Sequence, residues 1–215
     1  MSQEGRFVRE IQINRSENDQ ICVQIEQESV GDEGAVVWDS ALVACKYFEK
    51  CNLFQPQIYK NKSVLELGAG TGVCGIVLAA LGADVTITDL PNELNLLRRN
   101  VKINQRHLVG EIDVQELIWG HRSHLCKRQL DMILMVDCLY YEASVDPLLS
   151  TLTSFSPVPE IVCIYEERDI GKPKEIQPLF FEKAGTLFHT KTVEEDELHD
   201  EYRSPDIHVI VLTAK

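Results

Sequence analysis

Val64-Leu65-Glu66-Leu67-Gly68-Ala69-Gly70-Thr71-Gly72 decides the fold. A short apolar run carries an acid near its end, and three glycines follow at alternate positions. A second strand-like run, Val85-Thr86-Ile87-Thr88, closes on Asp89, nineteen residues after Gly70. Strand, glycine loop, helix, strand and acid in that order are how an α/β sheet holds a nucleoside-containing cofactor. A tight strand-to-helix turn with no ligand is the bland alternative. It accounts for the glycines but not for two acids in register with them.

Spacing narrows the cofactor. A dinucleotide loop wants Gly-x-Gly-x-x-Gly, which would put its third glycine at Val73. A pyrophosphate must rest on the helix start and is repelled by a carboxylate such as Glu66. S-adenosylmethionine has no phosphate. An acid beside the loop suits its amino group, and a helix start suits its carboxylate. Asp89 can accept hydrogen bonds from both ribose hydroxyls. A nicotinamide oxidoreductase is therefore disfavoured.

The length of 215 residues suits one domain or a domain with a short extension, and 44% hydrophobic residues suffice for a sizeable core. No apolar run approaches the roughly 20 residues that span a bilayer, and the first six residues do not read as a signal peptide. Seven cysteines, unpaired in spacing, read as reduced thiols of a cytoplasmic protein, with no metal site expected. Lysine and arginine are outnumbered 21 to 34, for a net charge of −13. Nucleic-acid binding usually shows a basic face, so a nucleic-acid partner is not expected. An acidic rim would attract a cationic partner, although charge also serves solubility.

Along the chain, alternation at Phe7, Ile11 and Ile13 and at Ile21, Val23 and Ile25 predicts a β-hairpin turning at 14–19. A helical pattern follows Val36-Val37-Trp38-Asp39, with Leu42, Val43, Cys45, Tyr47 and Phe48 mostly on one side. Residues 1–50 thus read as a hairpin-and-helix extension, and 51–215 as one globular unit. There the chain predicts a strand at 63–67, a helix at 71–81, a strand at 84–88 and a helix from Pro91 to about Asn104. A strand at 112–118 reaches Trp119-Gly120. The apolar run Met132-Ile133-Leu134-Met135-Val136 reads as a central strand buried on both faces. A helix from Ser144 to about Phe155, a strand at 160–165 and a helix at 173–184 follow. Strands near 187–193 and 207–212 flank an acidic, exposed connection, Glu194 to Asp206. The alternation predicts an α/β fold, a mainly parallel sheet covered on both faces, with a final antiparallel strand.

In such sheets the ligand lies beyond the carboxyl ends of the strands, where strand order reverses. The glycine loop and Asp137-Cys138-Leu139-Tyr140 should face each other there. Asp137 could simply cap the next helix and Tyr140 could be packing. The functional reading is lysine positioning. Asp137 would align an ammonium by a charge-assisted hydrogen bond, and Tyr140 would add a polar contact or a cation–π wall. A free lysine has a pKa of about 10.4, so a proton must leave before methyl transfer. Trp119 ends the third strand of the sheet near where an adenine would lie. Trp38 reads equally well as a cofactor contact or as core.

Trp38-Asp39, the glycine run, Asp89-Leu90, Trp119-Gly120 and Asp137-Cys138-Leu139-Tyr140-Tyr141 together resemble the methyltransferase-like 21 group of protein-lysine methyltransferases. The resemblance covers nearly the whole chain. It implies a class I, seven-β-strand, Rossmann-like methyltransferase sheet behind the hairpin extension. It implies S-adenosyl-L-methionine contacts at Trp38, Gly68, Ala69, Gly70, Asp89, Trp119 and Val136, beside Glu66, with Asp137 and Tyr140 at the acceptor. Tyr165 to Lys172 and His199 to His208 resemble the members of that group acting on valosin-containing protein. That implies a cytoplasmic monomer that trimethylates a lysine of this AAA ATPase. Methylation of another protein or a small amine, and a non-catalytic binding partner of a chaperone or ATPase, stay as alternatives.

Overall fold

The computed structural model describes residues 5–28, 33–121, 129–169 and 171–215. Alternation at the N-terminus forms the expected hairpin, β1 (Arg6–Ser16) antiparallel to β2 (Asp19–Glu28). Then come α1 (Asp39–Phe54), β3 (Ser63–Leu67), α2 (Val73–Ala80), β4 (Asp84–Asp89), α3 (Leu94–Asn104) and β5 (Ile112–Glu116). The second half runs β6 (Met132–Val136), α4 (Val145–Leu152), β7 (Glu160–Glu166), α5 (Pro173–Leu187), β8 (Phe188–Thr192) and β9 (Ile207–Ala214). Residues 1–4 and Ile170, both part of the sequence readings, lie outside the described residues, as does Cys126. The other six cysteines are free thiols.

A seven-stranded sheet has the order β5-β4-β3-β6-β7-β9-β8. Its strands are parallel except β9, which runs antiparallel to both neighbours. From β3 the chain steps outward through β4 and β5, and from β6 it steps the other way. The order therefore reverses between β3 and β6, where such sheets form a crevice. Alternate side chains of these strands feed two cores. Val64 and Leu134 join the hairpin, α1, α2 and α3, whereas Leu65, Leu67, Ile133 and Met135 join α4 and α5.

Several boundaries differ from the sequence reading for local reasons. α3 begins at Leu94 because Leu90 to Glu93 first close a turn, Glu93 N–H donating to Leu90 O at 3.0 Å. β5 stops at Glu116, after which Leu117 N–H reaches Asp89 O at 3.0 Å and carries the chain towards Trp119. α5 runs through Gly185, where nothing lies within 4 Å of a would-be Cβ. That glycine is an ordinary helical residue on an open face. The acidic connection is anchored as well as exposed. Leu198 is buried, and Lys50 Nζ donates to the carbonyls of Asp196 and Leu198 at 2.7 and 2.6 Å.

The hairpin is fastened to the body by side chains that imitate backbone. Asn100 of α3 accepts from Glu26 N–H at 2.8 Å and donates to Glu26 O at 3.1 Å and Thr71 O at 2.9 Å. One turn on, Asn104 accepts from Gln24 N–H at 2.9 Å and donates to Gln24 O at 2.7 Å. The two amides thus satisfy the open edge of β2, which would otherwise bury unpaired donors. On the other side, Lys46 and Glu49 of α1 form a buried ion pair at 2.5 Å. Lys46 also donates to Gln12 O at 2.6 Å, and Glu49 accepts from Asn14 N–H at 2.9 Å.

Removing one of these amides tests the attachment. Asn100→Ala leaves Glu26 N–H buried without its acceptor, which costs about 1–3 kcal/mol. The expected outcome is a lower urea midpoint with secondary structure retained. An unchanged midpoint would show that the hairpin is held by its apolar face alone.

Candidate active site

At the carboxyl ends of β3, β4 and β6 lies a cavity of about 510 Å³, well within the range of small-molecule sites. Its floor is the glycine loop. Asp89 Oδ2 accepts the Gly70 N–H at 2.7 Å, and Asp89 Oδ1 accepts the Leu90 N–H at 2.7 Å. Gly70 has φ 54°, and a Cβ there would stand 3.0 Å from Gly34 O. The backbone of residues 33–38 therefore crosses directly over the loop, and Gly34, Val36 and Trp38 close the cavity from above.

Glu66 lines the cavity from β3 and is 2% exposed. One oxygen accepts the Gly75 N–H at 2.9 Å, in the first turn of α2. This is a helix-start partner that an acid in a strand does not announce. Burial pushes the Glu66 carboxyl up to about 8, against the lowering effect of that N–H and with a further raise from Asp89. Gly75 is small by necessity, because a Cβ would meet Ile87 at 2.3 Å and the Glu66 carboxylate at 2.4 Å.

Across the cavity Asp137 follows β6 with φ 55°, a left-handed conformation that a non-glycine residue adopts at a cost. Its N–H continues the sheet by donating to Ile164 O at 2.8 Å. Its Oδ1 accepts from Glu166 N–H at 3.2 Å, and its Oδ2 from Arg168 Nη2 at 3.0 Å. Burial is the main influence on this carboxyl and raises it above the usual range, while Glu166 N–H and Arg168 pull it back. Arg168 also pairs with Glu166 at 3.0 Å, and its guanidinium lies 5.0 Å from the Trp38 ring centroid. The Ser40 hydroxyl, fully buried at the start of α1, lies beside the Asp137 carboxyl and also lowers it.

The cavity brings together Trp38, Glu66, Gly68, Ala69, Gly70, Asp89, Val136, Asp137 and Tyr140. Tyr140 stacks edge-on against Tyr141, centroids 4.7 Å apart. Trp119 stands apart. Its indole backs Gly68, where a would-be Cβ lies 3.0 Å away, and it packs against the α4–α5 core instead of lining the cavity. Ser40, Asn92, Glu93, Arg168 and Lys172 are among the lining side chains that sequence reasoning did not assign to the site. Arg168 and Lys172 had a signal, their place in the stretch after β7 that carries the family resemblance.

A model of the family described as "Lysine methyltransferase" matches residues 17–186. The chain belongs to this lysine methyltransferase family. It is 38% identical over 159 residues to mouse EEF1A lysine methyltransferase 3, covering 69% of this chain and 66% of that protein. It is 40% identical over 131 residues to Protein N-lysine methyltransferase METTL21A of Xenopus tropicalis, covering 60% and 59%. The match thus spans less than two thirds of the length of either relative. Among solved structures, a 16S rRNA N2 G1207 methyltransferase from T. thermophilus shares the fold. It has TM-score 0.58 at 18% identity, over 99% of this chain and 51% of that one. A ribosomal protein L11 methylase from Lactobacillus delbrueckii matches with TM-score 0.51 at 15% identity, over 82% and 79%. These two likenesses concern the sheet and its helices only.

The lysine methyltransferase family's cofactor is S-adenosylmethionine, and the residues present fit it. Acids at 66, 89 and 93 border the loop, where a pyrophosphate would be repelled. The buried Ser40 hydroxyl adds a polar group to the lining beside Asp137.

The raised Glu66 carboxyl gives a pH test of this geometry. The folded chain keeps a proton there that the unfolded chain gives up above about 4.5. That contribution to stability is fully present below about 4.5, declines as the pH rises and is lost at about 8. Glu66→Gln keeps an acceptor for Gly75 and removes the titration. Urea unfolding from pH 5 to 8 should show the parent losing stability relative to the variant, by about 1.4 kcal/mol per pH unit. Parallel curves would mean that Glu66 is already ionised in the folded chain.

Proposed function

We propose that this chain is a protein-lysine N-methyltransferase that uses S-adenosyl-L-methionine. One observation carries the reading: a partly buried carboxylate, Asp137, held at the tip of β6 across the cavity from the glycine loop. The cofactor supplies a methyl group on a sulfonium. Asp89 takes the ribose hydroxyls, while Gly68, Ala69 and Gly70 accept the cofactor against backbone. Glu66, Trp38 and Val136 border it, and Trp119 supports the loop from behind. Asp137 accepts an N–H of the lysine and aims its nitrogen, and Tyr140 walls the amine with its ring. Direct displacement needs that alignment more than it needs acid–base chemistry.

For the acceptor we propose a lysine of valosin-containing protein, carried to the trimethyl state by a cytoplasmic monomer. Support comes from the two stretches, Tyr165 to Lys172 and His199 to His208, that resemble enzymes of this AAA ATPase. They meet beside the cavity. His208 Nε2 lies 2.8 Å from Glu167 Oε2, and Glu167 N–H donates to Asp206 O at 2.6 Å. A second reading, methylation of EEF1A, is favoured by the mouse relative's name. No helix among the described residues is long and apolar enough to cross a membrane.

Methyl-labelled cofactor, offered with purified valosin-containing protein or EEF1A, separates these readings. Labelling of the ATPase, with a trimethyllysine seen by mass spectrometry, is expected. Asp137→Ala should reduce it about a hundredfold or more while cofactor binding persists. Labelling of EEF1A alone would move the substrate. Cofactor binding with no lysine labelled in either protein or in an extract would favour a non-catalytic binding module.

A further inference from the structure

Asp137 poses a chemical difficulty for lysine methylation. A lone carboxylate beside an ammonium stabilises the charged form and raises the amine's pKa. Methyl transfer needs the opposite, a neutral amine with its lone pair free. The residue that aligns the lysine would by itself keep it unreactive.

The cavity already holds an answer. Arg168 Nη2 sits 3.0 Å from Asp137 Oδ2, and three contacts fix it there. They are the Asp137 carboxylate, the Glu166 carboxylate at 3.0 Å and the Trp38 ring at 5.0 Å. Its side chain is 28% exposed and that of Asp137 only 11%, so bulk water screens the pair weakly. We infer that Arg168 is a positioning residue that tunes the acceptor: it offsets the charge of Asp137, so that this carboxylate orients a lysine without holding its proton. The inference rests on the lysine-methyltransferase reading and deepens it.

The surroundings agree. Lining the acceptor end are Asp137 after β6, Arg168 just beyond β7, Lys172 ahead of α5, and the phenols of Tyr140 and Tyr141, with Glu166 at the end of β7 paired to Arg168. Asp39 begins α1 on its exposed side. Asp89 and Glu93 belong to the far end, beside the glycine loop, and Glu66 is held largely protonated at neutral pH by burial. Two carboxylates, Asp137 and Glu166, therefore share Arg168, and Lys172 adds a second cation to the lining, in a chain whose net charge is −13. A carboxylate offers about four acceptor positions, so Asp137 can serve Arg168, Glu166 N–H and an amine together. The balanced step is simple. The ammonium loses one proton to water. The nitrogen lone pair then forms the N–C bond as the S–C bond breaks, its electrons passing to sulfur. Arg168 gives up no proton.

The test is the pH dependence of kcat, which reports the enzyme-bound amine. With a lysine-bearing protein substrate, the parent's acid limb should lie at least about one unit below the ordinary lysine value of about 10.4. Arg168→Gln should raise that limb by about one unit, costing about tenfold at neutral pH and recovering at higher pH. Arg168→Lys, which keeps the charge, should return most of the difference. An equal loss at every pH would overturn the inference, because a merely structural role predicts that. Should Arg168→Gln fail to fold by circular dichroism, the parent's limb decides, and a value near about 10.4 overturns the inference. A parent that binds cofactor and methylates no lysine at any pH overturns the underlying reading instead, and the inference falls with it.

Discussion

Two carboxylates at strand ends hold the loop on which both the sheet and the cavity depend. Asp89, closing β4, takes the Gly70 N–H, and Glu66, inside β3, takes the Gly75 N–H at the start of α2. One bond pins the loop sideways to the neighbouring strand, and the other pins the helix down onto the sheet. These N–H to carboxyl bonds are short and directional, at 2.7 and 2.9 Å. They fix where backbone N–H groups point, which is what a helix start offers a ligand. The cost is desolvation, visible in the upward displacement of both carboxyls. Stability and binding geometry here share the same two side chains.

The same logic governs the hairpin. β1 and β2 bury Ile11, Ile13, Ile21, Val23 and Ile25 at near-zero exposure, yet an apolar face does not set a register on a helical bed. Asn100 and Asn104 do so, because an amide spaced four residues along a helix can pair with alternate residues of a strand edge. Asn100 also reaches Thr71 O, so the hairpin is tied to the glycine loop through one side chain. That places the 33–38 crossing, which leaves β2 on its way to α1, directly over the cofactor cavity.

Much of this was legible from periodicity. β3 and β6 are continuous apolar runs because parallel strands in the middle of a sheet are buried on both faces. Acids that end such runs stand out, so Glu66, Asp89 and Asp137 could be found without a fold. What stayed hidden needed tertiary contact. The apolar side of α1 was visible, but nothing in its spacing marks Lys46 and Glu49 as an ion pair buried beneath β1. Ser40 is an ordinary first-turn residue in sequence and a buried hydroxyl beside Asp137 in the cavity. Trp119 was expected to end a strand, but β5 stops at Glu116 and the chain beyond Leu117 sends the Trp119 ring behind Gly68. Spacing fixes where a strand stops, but not which way the next side chain turns.

Arg168 shows why charge counted along the chain misleads about a site. A net charge of −13 suggests an acidic cleft, and such a field does act on a cationic protein during encounter. Exposed charges more than about 8 Å apart are screened at physiological salt, however, so this field fades once partners touch. Around the cavity the partly buried neighbours govern, and there Arg168 pairs with both Asp137 and Glu166 while Lys172 adds a second cation to the lining. Attraction and reaction thus make opposite demands on the same cation. On the proposed reading, the surface would favour a protonated lysine and the acceptor end would release that proton. The fold separates these demands in space, with acids on the 194–201 connection held against α1 by Lys50, and an ion-paired cluster at the ends of β6 and β7.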